Sequence, residues 1–310
     1  MGHEHGHEHG HEHGHVRGPK AYGRAFLVGI SLNVIFVIVE AAYGVAAESI
    51  ALVADAAHNL SDVLGLAMAW GAFVLAQRKP SRKRTYGLRK STVLAALANS
   101  VLLLVAVGGV AWEALGRFRR PTKVEGGVVM IVAAIGVVIN GASAIFFAKG
   151  RKGDVNLRGA FLHLAADAAV SLGVVLAGGI MLRTGWLWLD PTVSLVVSIV
   201  ILVGTWSLLK QSVNLALDAV PESIDAEAVN AYLTRLPGVL EVHDLHIWAM
   251  STTETALTAH LIMETDACHP ALLRDVGKEL GERFKIQHTT LQVEPPDAPG
   301  ECAQAPQGTL

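Results

Sequence analysis

Charged residues are scarce in this chain of 310 residues, and their signs almost cancel. Asp, Glu, Lys and Arg make up 17% of the sequence against 52% hydrophobic residues, and the formal net charge is −2. This balance excludes a strongly basic nucleic-acid binder. The charged fraction is also too small for an ordinary soluble domain of this length. The small charged fraction favours a protein that lies in a lipid bilayer. The small net charge favours a protein without a nucleic-acid partner.

Cysteine is nearly absent. Cys268 and Cys302 are the only two, and both follow the last long apolar block. Two cysteines form no disulfide framework, and they fit a reducing cytosolic setting. The apolar blocks lack sulfur other than methionine, which disfavours a copper(I) site there. The HExxH motif of zinc proteases is missing as well.

The first fifteen residues, MGHEHGHEHGHEHGH, lack the apolar core of a secretory signal. Their imidazoles can bind zinc, nickel or copper loosely, in many exchanging geometries. An expression tag is the alternative. Tags are usually uninterrupted histidine runs, whereas Glu4, Glu8 and Glu12 alternate with histidines here. We therefore interpret residues 1–20 as a disordered, native His-rich tail in the cytosol.

Six apolar stretches are each long enough to cross a hydrocarbon core of about 30 Å as a helix. They lie near 24–46, 50–77, 91–116, 126–148, 157–182 and 188–210. Lys and Arg are concentrated before the first span and in the connections after the second and fourth spans, which places both termini in the cytoplasm. The basic connection 117–123 opposes this orientation, so the orientation rests on the total number of Lys and Arg residues on each side of the membrane.

From residue 224 onward the composition is that of a soluble domain. IDAEAVNAYLTRL and HPALLRDVGKELGERF have helical patterns, while VLEVHDLHIWAM, ETALTAHLIMET and HTTLQVE alternate like strands. The order αββαβ predicts a small cytosolic α+β domain of the ferredoxin-like class, which would gain stability by pairing with a second copy. We expect four parts: the tail 1–20, a six-helix membrane domain 21–213, a cytosolic metal-binding and dimerisation domain 214–295, and a disordered Pro-rich tail 296–310.

Acidic side chains inside the predicted spans need compensation, because an Asp at the centre of a membrane helix costs about 2.5–3.5 kcal/mol on insertion scales. The second span reads ADAAHNLSDVLG and places His58 and Asp62 on one helix face. The fifth span reads FLHLAADAAVSLG and repeats the spacing with His163 and Asp167. A single such pair could simply hydrogen-bond to a neighbouring helix. Two matched pairs favour one shared metal site.

Two imidazoles and two carboxylates suit a tetrahedral Zn²⁺ ion, whose charge the carboxylates cancel. Mg²⁺ and Ca²⁺ prefer about six or more oxygen ligands. Four protein ligands leave no open position for catalytic water, which argues against a metal-dependent membrane enzyme. A channel or a metal sensor could use the same ligands. We interpret Asp55 as a residue that packs at or caps a helix end, rather than as a third carboxylate on the path, and Glu40 as a non-ligand near the outer end of its span.

These motifs resemble the cation diffusion facilitator family of metal transporters, in particular its zinc-exporting branch. SIALVADAAHNLSDVLGLAMAW is similar to the second helix of that family, YGLRKSTVLAALANS to the entry of the third, LHLAADAAVSLGVV to the fifth and DPTVSLVVSIVIL to the sixth. VHDLHIWAM and TAHL resemble its cytosolic domain. The resemblance extends over nearly the whole chain.

The resemblance implies a homodimeric Zn²⁺/H⁺ antiporter in which zinc is the transported substrate and the proton is the counter-ion. The transport site would consist of His58, Asp62, His163 and Asp167. We expect an integral membrane protein of a bacterial inner membrane. Family members often carry a His-rich loop between spans four and five. That loop is short here, so any metal-gathering role would fall to the N-terminal tail.

The resemblance also implies an accessory, regulatory zinc site in the cytosolic domain. Its ligands would be His243, His260 and Glu294, with Cys302 as a ligand from the tail. Strand alternation puts His243 beside Leu245 and Ile247, so a packed core histidine is the alternative. Further candidate ligands without a geometric argument are His246, His269, His288 and Cys268.

Overall fold

The computed structural model describes residues 23–148, 155–264 and 270–296. Several predicted features lie outside these ranges: the His-rich tail 1–20, residues 297–310 of the Pro-rich tail, Cys268, His269 and Cys302. Within the described ranges, six long helices come first: α1 (Gly23–Ala46), α2 (Ile50–Ala76), α3 (Ser91–Arg119), α4 (Gly126–Ala148), α5 (Val155–Thr184) and α6 (Leu189–Ala216). An α+β unit follows: α7 (Ala226–Thr234), β1 (Val239–Ala249), β2 (Thr255–Met263), α8 (Pro270–Phe284) and β3 (His288–Glu294).

The long helices have the length and composition of membrane spans. Five helices, α2 to α6, contain stretches long and apolar enough to cross a bilayer. Helix α1 has 24 residues, and its described side chains form a shorter apolar segment, Val34–Ala46. The predicted class, six membrane helices followed by an α+β domain, is confirmed. Helix α6 ends at Ala216, six residues after the predicted end at 210. The prediction stopped where the apolar stretch stops, whereas the helix continues through the residues QSVNLA that follow it.

The start of α2 is fixed by a carboxylate from another helix. Asp190, near the start of α6, is fully buried. It accepts hydrogen bonds from Ser49 Oγ at 2.5 Å and from the backbone N–H groups of Ile50 at 2.9 Å and Ala51 at 3.4 Å. These bonds satisfy donors that a helix N-terminus leaves without partners, and they place a negative charge at the positive end of the helix dipole. Asp190 therefore positions the helix that carries His58.

The membrane helices are packed unequally along their length. Ala47, Leu52, Val129, Val174 and Met181 belong to a buried cluster at the end of the bundle where α1 connects to α2, which we name the closed end. The buried residues of α2 lie between positions 50 and 61, apart from position 72. In α5, the first buried residue among the described side chains is Asp167. We name the less packed end, where α2 ends and α5 begins, the open end.

The α+β domain is attached at the open end by polar contacts. The Lys90 ammonium, just before α3, donates to the Asp218 carboxylate and, at 3.0 Å, to the carbonyl oxygen of Ala249. Arg89 forms an ion pair with Glu254 at 3.0 Å. The start of α3 is thus joined to the segment after α6 and to the turn between β1 and β2.

The sheet of this domain has the strand order β1-β2-β3. Strands β1 and β2 are antiparallel, and β2 and β3 are parallel. A parallel pair requires a crossover connection, which α8 supplies. Helices α7 and α8 contribute to a single core with the sheet, which includes Val229, Leu233, Leu257, Leu261 and Leu280. The predicted order αββαβ is confirmed.

We expect Asp190→Ala to lower the melting temperature of the detergent-purified protein. The substitution leaves the Ser49 hydroxyl and the Ile50 N–H buried without an acceptor, and each unpaired buried donor costs about 1–3 kcal/mol of unfolding free energy. Asp190→Asn keeps one acceptor oxygen and should lose less. Thr192→Ala, which removes a half-buried hydroxyl that bonds to the Trp188 carbonyl of the preceding turn, is the control. An Asp190→Ala protein that melts with the wild type would contradict this role.

Candidate metal sites

Helices α2 and α5 bring the four predicted membrane ligands together, with one ligand atom of each residue within 4.8 Å of the others. The His58 Nε2 atom lies 3.3 Å from Asp167 Oδ1 and 3.7 Å from Asp62 Oδ2. The His163 Nε2 atom lies 3.3 Å from Asp62 Oδ2 and 3.6 Å from Asp167 Oδ2. Each imidazole therefore lies next to one carboxylate of its own helix and one of the other helix.

The four imidazole-to-carboxylate spacings, two of which end on different oxygens of Asp167, are close to the edge length of a tetrahedron around a small ion. Zinc binds histidine nitrogen and carboxylate oxygen at about 2.0–2.2 Å, so neighbouring ligand atoms of a tetrahedral site lie about 3.3–3.6 Å apart. The four imidazole-to-carboxylate distances are 3.3 to 3.7 Å. The residues can therefore surround such an ion with only small movements of their side chains.

The four ligands differ in exposure. The Asp167 side chain is 6% exposed, whereas that of His163 is 50% exposed. His163 precedes the buried part of α5 and lies on the open-end side of Asp167 along that helix. The Nδ1 atom of His58 is buried and has no hydrogen-bond partner among the described residues. His163 is therefore the most exposed of the four residues.

Asp55 and Glu40 lie outside the four-ligand cluster. Asp55 accepts a hydrogen bond from Ser171 Oγ of α5 at 2.8 Å, and Glu40 accepts one from Asn59 Nδ2 of α2 at 3.1 Å. Asp55 lies in the second turn of α2 and does not cap the start of that helix. The predicted capping role is therefore corrected to a contact between helices, because the caps of α2 are Ser49 and a carboxylate of α6.

Three of the four predicted cytosolic ligands meet on one face of the sheet. His243 of β1 pairs with His260 of β2, and Glu294 is the last residue of β3. The Glu294 carboxylate lies 2.9 Å from His260 Nδ1 and 3.5 Å from His243 Nε2. One ligand atom of each residue lies within 4.8 Å of the others. Three ligands leave one position of a tetrahedral ion for a further donor.

A β-bulge in β1 decides which face His243 occupies. Strict alternation would put His243 on the same face as Leu245 and Ile247, which belong to the core. The register shifts directly after His243, where Asp244 has a positive φ of 51°. The extra residue of a bulge restarts the alternation. His243 therefore faces His260 and not the core.

Asp244 is a residue that the sequence-based reasoning missed. Its carboxylate lies 2.9 Å from His246 Nε2 and 3.6 Å from His260 Nε2, so it joins one of the further candidates to the cluster. Another candidate, His288, instead lies against the Tyr86 ring, with centroids 5.4 Å apart. The only sequence signal for this position of Asp244 is that it follows another polar residue, His243, which breaks the alternation of polar and apolar residues expected in a strand.

Both parts of the chain match known protein families. The model of the cation efflux transmembrane domain matches residues 26–215, and that of the cation efflux protein cytoplasmic domain matches residues 221–296. The metal cation efflux system protein CzcD of Cupriavidus metallidurans is 36% identical over 292 residues, which are 93% of this chain and 91% of that protein.

Two further relatives cover most of the chain. The zinc transporter ZitB of Escherichia coli is 36% identical over 273 residues, 87% of each chain. A cadmium, cobalt and zinc/H⁺-K⁺ antiporter of Bacillus subtilis is 32% identical over 276 residues, 87% of this chain and 88% of its own. With apolar helices long enough to span a bilayer and both family models matched in order, this integral membrane protein belongs to the cation efflux family, the cation diffusion facilitators.

Proposed function

We propose that the chain exports Zn²⁺ from the cytoplasm in exchange for protons, through a transport site formed by His58, Asp62, His163 and Asp167. The observation that carries this proposal is the spacing of two imidazoles and two carboxylates from two helices, which suits a tetrahedral zinc ion. The names of the relatives agree in class: metal cation efflux, zinc transport and a proton-linked antiporter.

Charge balance gives a reason for proton exchange. With zinc bound, two neutral imidazoles and two carboxylates make a neutral site. Without zinc, the carboxylates of Asp62 and Asp167 would carry two uncompensated charges inside a bilayer, which is costly. Protonation of His58 and His163 restores neutrality. The site is therefore neutral with one zinc ion or with two protons, and each can displace the other.

Zinc would load from the open end. His163 is half exposed there, whereas a buried apolar cluster seals the closed end. The excess of Lys and Arg in the connections assigns the open end, and both termini, to the cytoplasm. Rocking of α5 against α2 would then close the loaded side and expose the ligands to the other face of the membrane. Protons from that face would displace the metal and accompany the return.

The proposal also covers the membrane location, the oligomeric state and the parts of the chain. We place the protein in a bacterial inner membrane, as a homodimer paired through the α+β domain and as a member of the zinc-exporting branch. The proposed parts are the tail 1–20, the membrane domain 21–213, the cytosolic domain 214–295 and the tail 296–310. A site with four protein ligands has no open position for catalytic water, so the proposed activity is transport and not catalysis.

Asp167→Ala should abolish zinc flux while the protein still expresses and folds, because the change removes both a ligand and a balancing charge. We would measure zinc uptake into inside-out vesicles, in which an acid interior should accelerate uptake. Glu113→Ala removes an exposed carboxylate from α3 and should keep wild-type flux. Robust flux in Asp167→Ala would eliminate this transport site, whereas wild-type flux that ignores the pH gradient would eliminate proton exchange.

Zinc affinity of the membrane site should weaken as the pH falls, because imidazolium does not bind metal and the ordinary histidine pKa is about 6.5. Where both imidazoles are protonated, the Kd should rise by up to ~100-fold per pH unit. The protein used should lack residues 1–15 and carry alanine at His243, His260 and Glu294. Adding His58→Asp should make this dependence shallower and relax selectivity towards harder ions. A Kd that stays flat between about pH 5.5 and 7.5 would remove the physical basis of the exchange.

We also propose that His243, His260 and Glu294 form a regulatory zinc site, with Cys302 as a candidate fourth ligand. His260→Ala should lower the zinc bound at equilibrium by one ion per chain, because His260 contacts Glu294 directly. Equilibrium dialysis of the purified full-length protein measures the count. Thr290→Ala, an exposed change in β3, is the control and should bind the wild-type number. An unchanged count in His260→Ala would reject this site.

A further inference from the structure

Two buried carboxyls face each other beyond the proposed metal ligands, toward the closed end. Glu40 of α1 and Asp55 of α2 are both fully buried, and the Asn59 amide that bonds Glu40 lies one turn after Asp55 on α2, which brings the two carboxyls to the same part of the α1–α2 contact. Asp55 precedes His58 by three residues, and its hydrogen-bond donor Ser171 follows Asp167 by four. The pair is therefore about one helical turn, roughly 5 Å, from the ligands along the helix axes.

The pair has too few hydrogen-bond donors. Asn59 Nδ2 donates to Glu40 Oε2 at 3.1 Å, and Ser171 Oγ donates to Asp55 Oδ2 at 2.8 Å. The other oxygen of each carboxyl, Glu40 Oε1 and Asp55 Oδ1, is buried with no donor among the described residues. Two ionised carboxylates in contact would repel each other and leave both oxygens unsatisfied in an apolar interior.

We propose that Glu40 and Asp55 bind one proton between them, as a carboxylic acid hydrogen-bonded to a carboxylate. An O–H placed between Glu40 Oε1 and Asp55 Oδ1 would satisfy both orphaned oxygens, because one of them would donate and the other accept. Carboxyl pairs that share one site hold a proton for the same reason. A sodium or potassium ion fits less well, because Asn59 and Ser171 already direct N–H and O–H donors at the pair instead of oxygens at a cation.

Few other charges act on this pair. The titratable neighbours are His58 on α2 and Asp167 on α5, while α4, which packs against α1, contains no titratable residue. The shared proton is distinct from those that would compete with zinc for imidazole. It removes the repulsion between α1 and α2 just beyond the ligands, and Ser171 extends the connection to α5. The proton therefore lets α1 and α2 pack against each other toward the closed end.

Infrared spectroscopy of the metal-free, full-length protein in detergent tests this proposal. A protonated carboxyl has a C=O stretch well apart from the carboxylate bands, and the stretch shifts in D₂O. At neutral pH we expect one acid band per chain that changes frequency in both Glu40→Gln and Asp55→Asn, because the carboxyl left in each variant stays buried but has lost the carboxylate that accepts its O–H. Glu48→Gln removes an exposed carboxyl between α1 and α2 and should keep the band.

Three outcomes would overturn the proposal. A band that keeps its frequency in Asp55→Asn would mean that Glu40 holds its proton alone in the wild type. Equal spectra of the wild type and both variants would mean an ionised pair. Loss of the band on adding sodium or potassium chloride would assign a cation. If the single variants fail to fold, Glu40→Gln/Asp55→Asn should lose the intensity of one acid per chain, and a loss of two or none rejects sharing. Zinc is absent throughout, so failure of the proposed transport function would not affect this result.

Discussion

Holding carboxyl groups inside a bilayer is the constraint on which the membrane domain depends. Asp190 is compensated by the N-terminus of α2, and this contact sets the position of that helix. Asp62 and Asp167 lie against imidazoles, where the proposed mechanism exchanges a cation for protons. Glu40 and Asp55 are compensated by an amide, a hydroxyl and each other. The four-residue cluster thus lies on the open-end side of the polar contacts that organise the closed end.

The helices could be predicted because an apolar stretch of some twenty residues has few alternatives to a membrane span. The ligand pairs could be predicted within each helix because a spacing of four places two side chains on one face. The meeting of α2 and α5 followed only indirectly, from the need to compensate buried charge. The contact between Asp190 and Ser49 could not be predicted, since these residues are 141 positions apart and neither belongs to a periodic pattern.

In the α+β domain, sequence-based prediction failed at one inserted residue, the bulge in β1. Periodicity gave the order αββαβ, but a period of two puts His243 on the core face. The bulge at Asp244 reverses that placement, and it also directs a second carboxylate at His260. A bulge changes the face of a strand without changing its composition, so propensity and alternation do not locate it.

The contacts of Lys90 and Arg89 with the α+β domain have a mechanical consequence. They tie α3 to that domain, which the chain itself ties to α6, and α3 packs on both α6 and α2. Helix α5, which carries the other two ligands, packs mainly on α4. In a dimer paired through the α+β domains, α3 and α6 would act as a stator and α4 and α5 as the moving arm. The boundary between the two would then pass between α2 and α5, so that a swing of the arm changes which side of the bilayer the four ligands face.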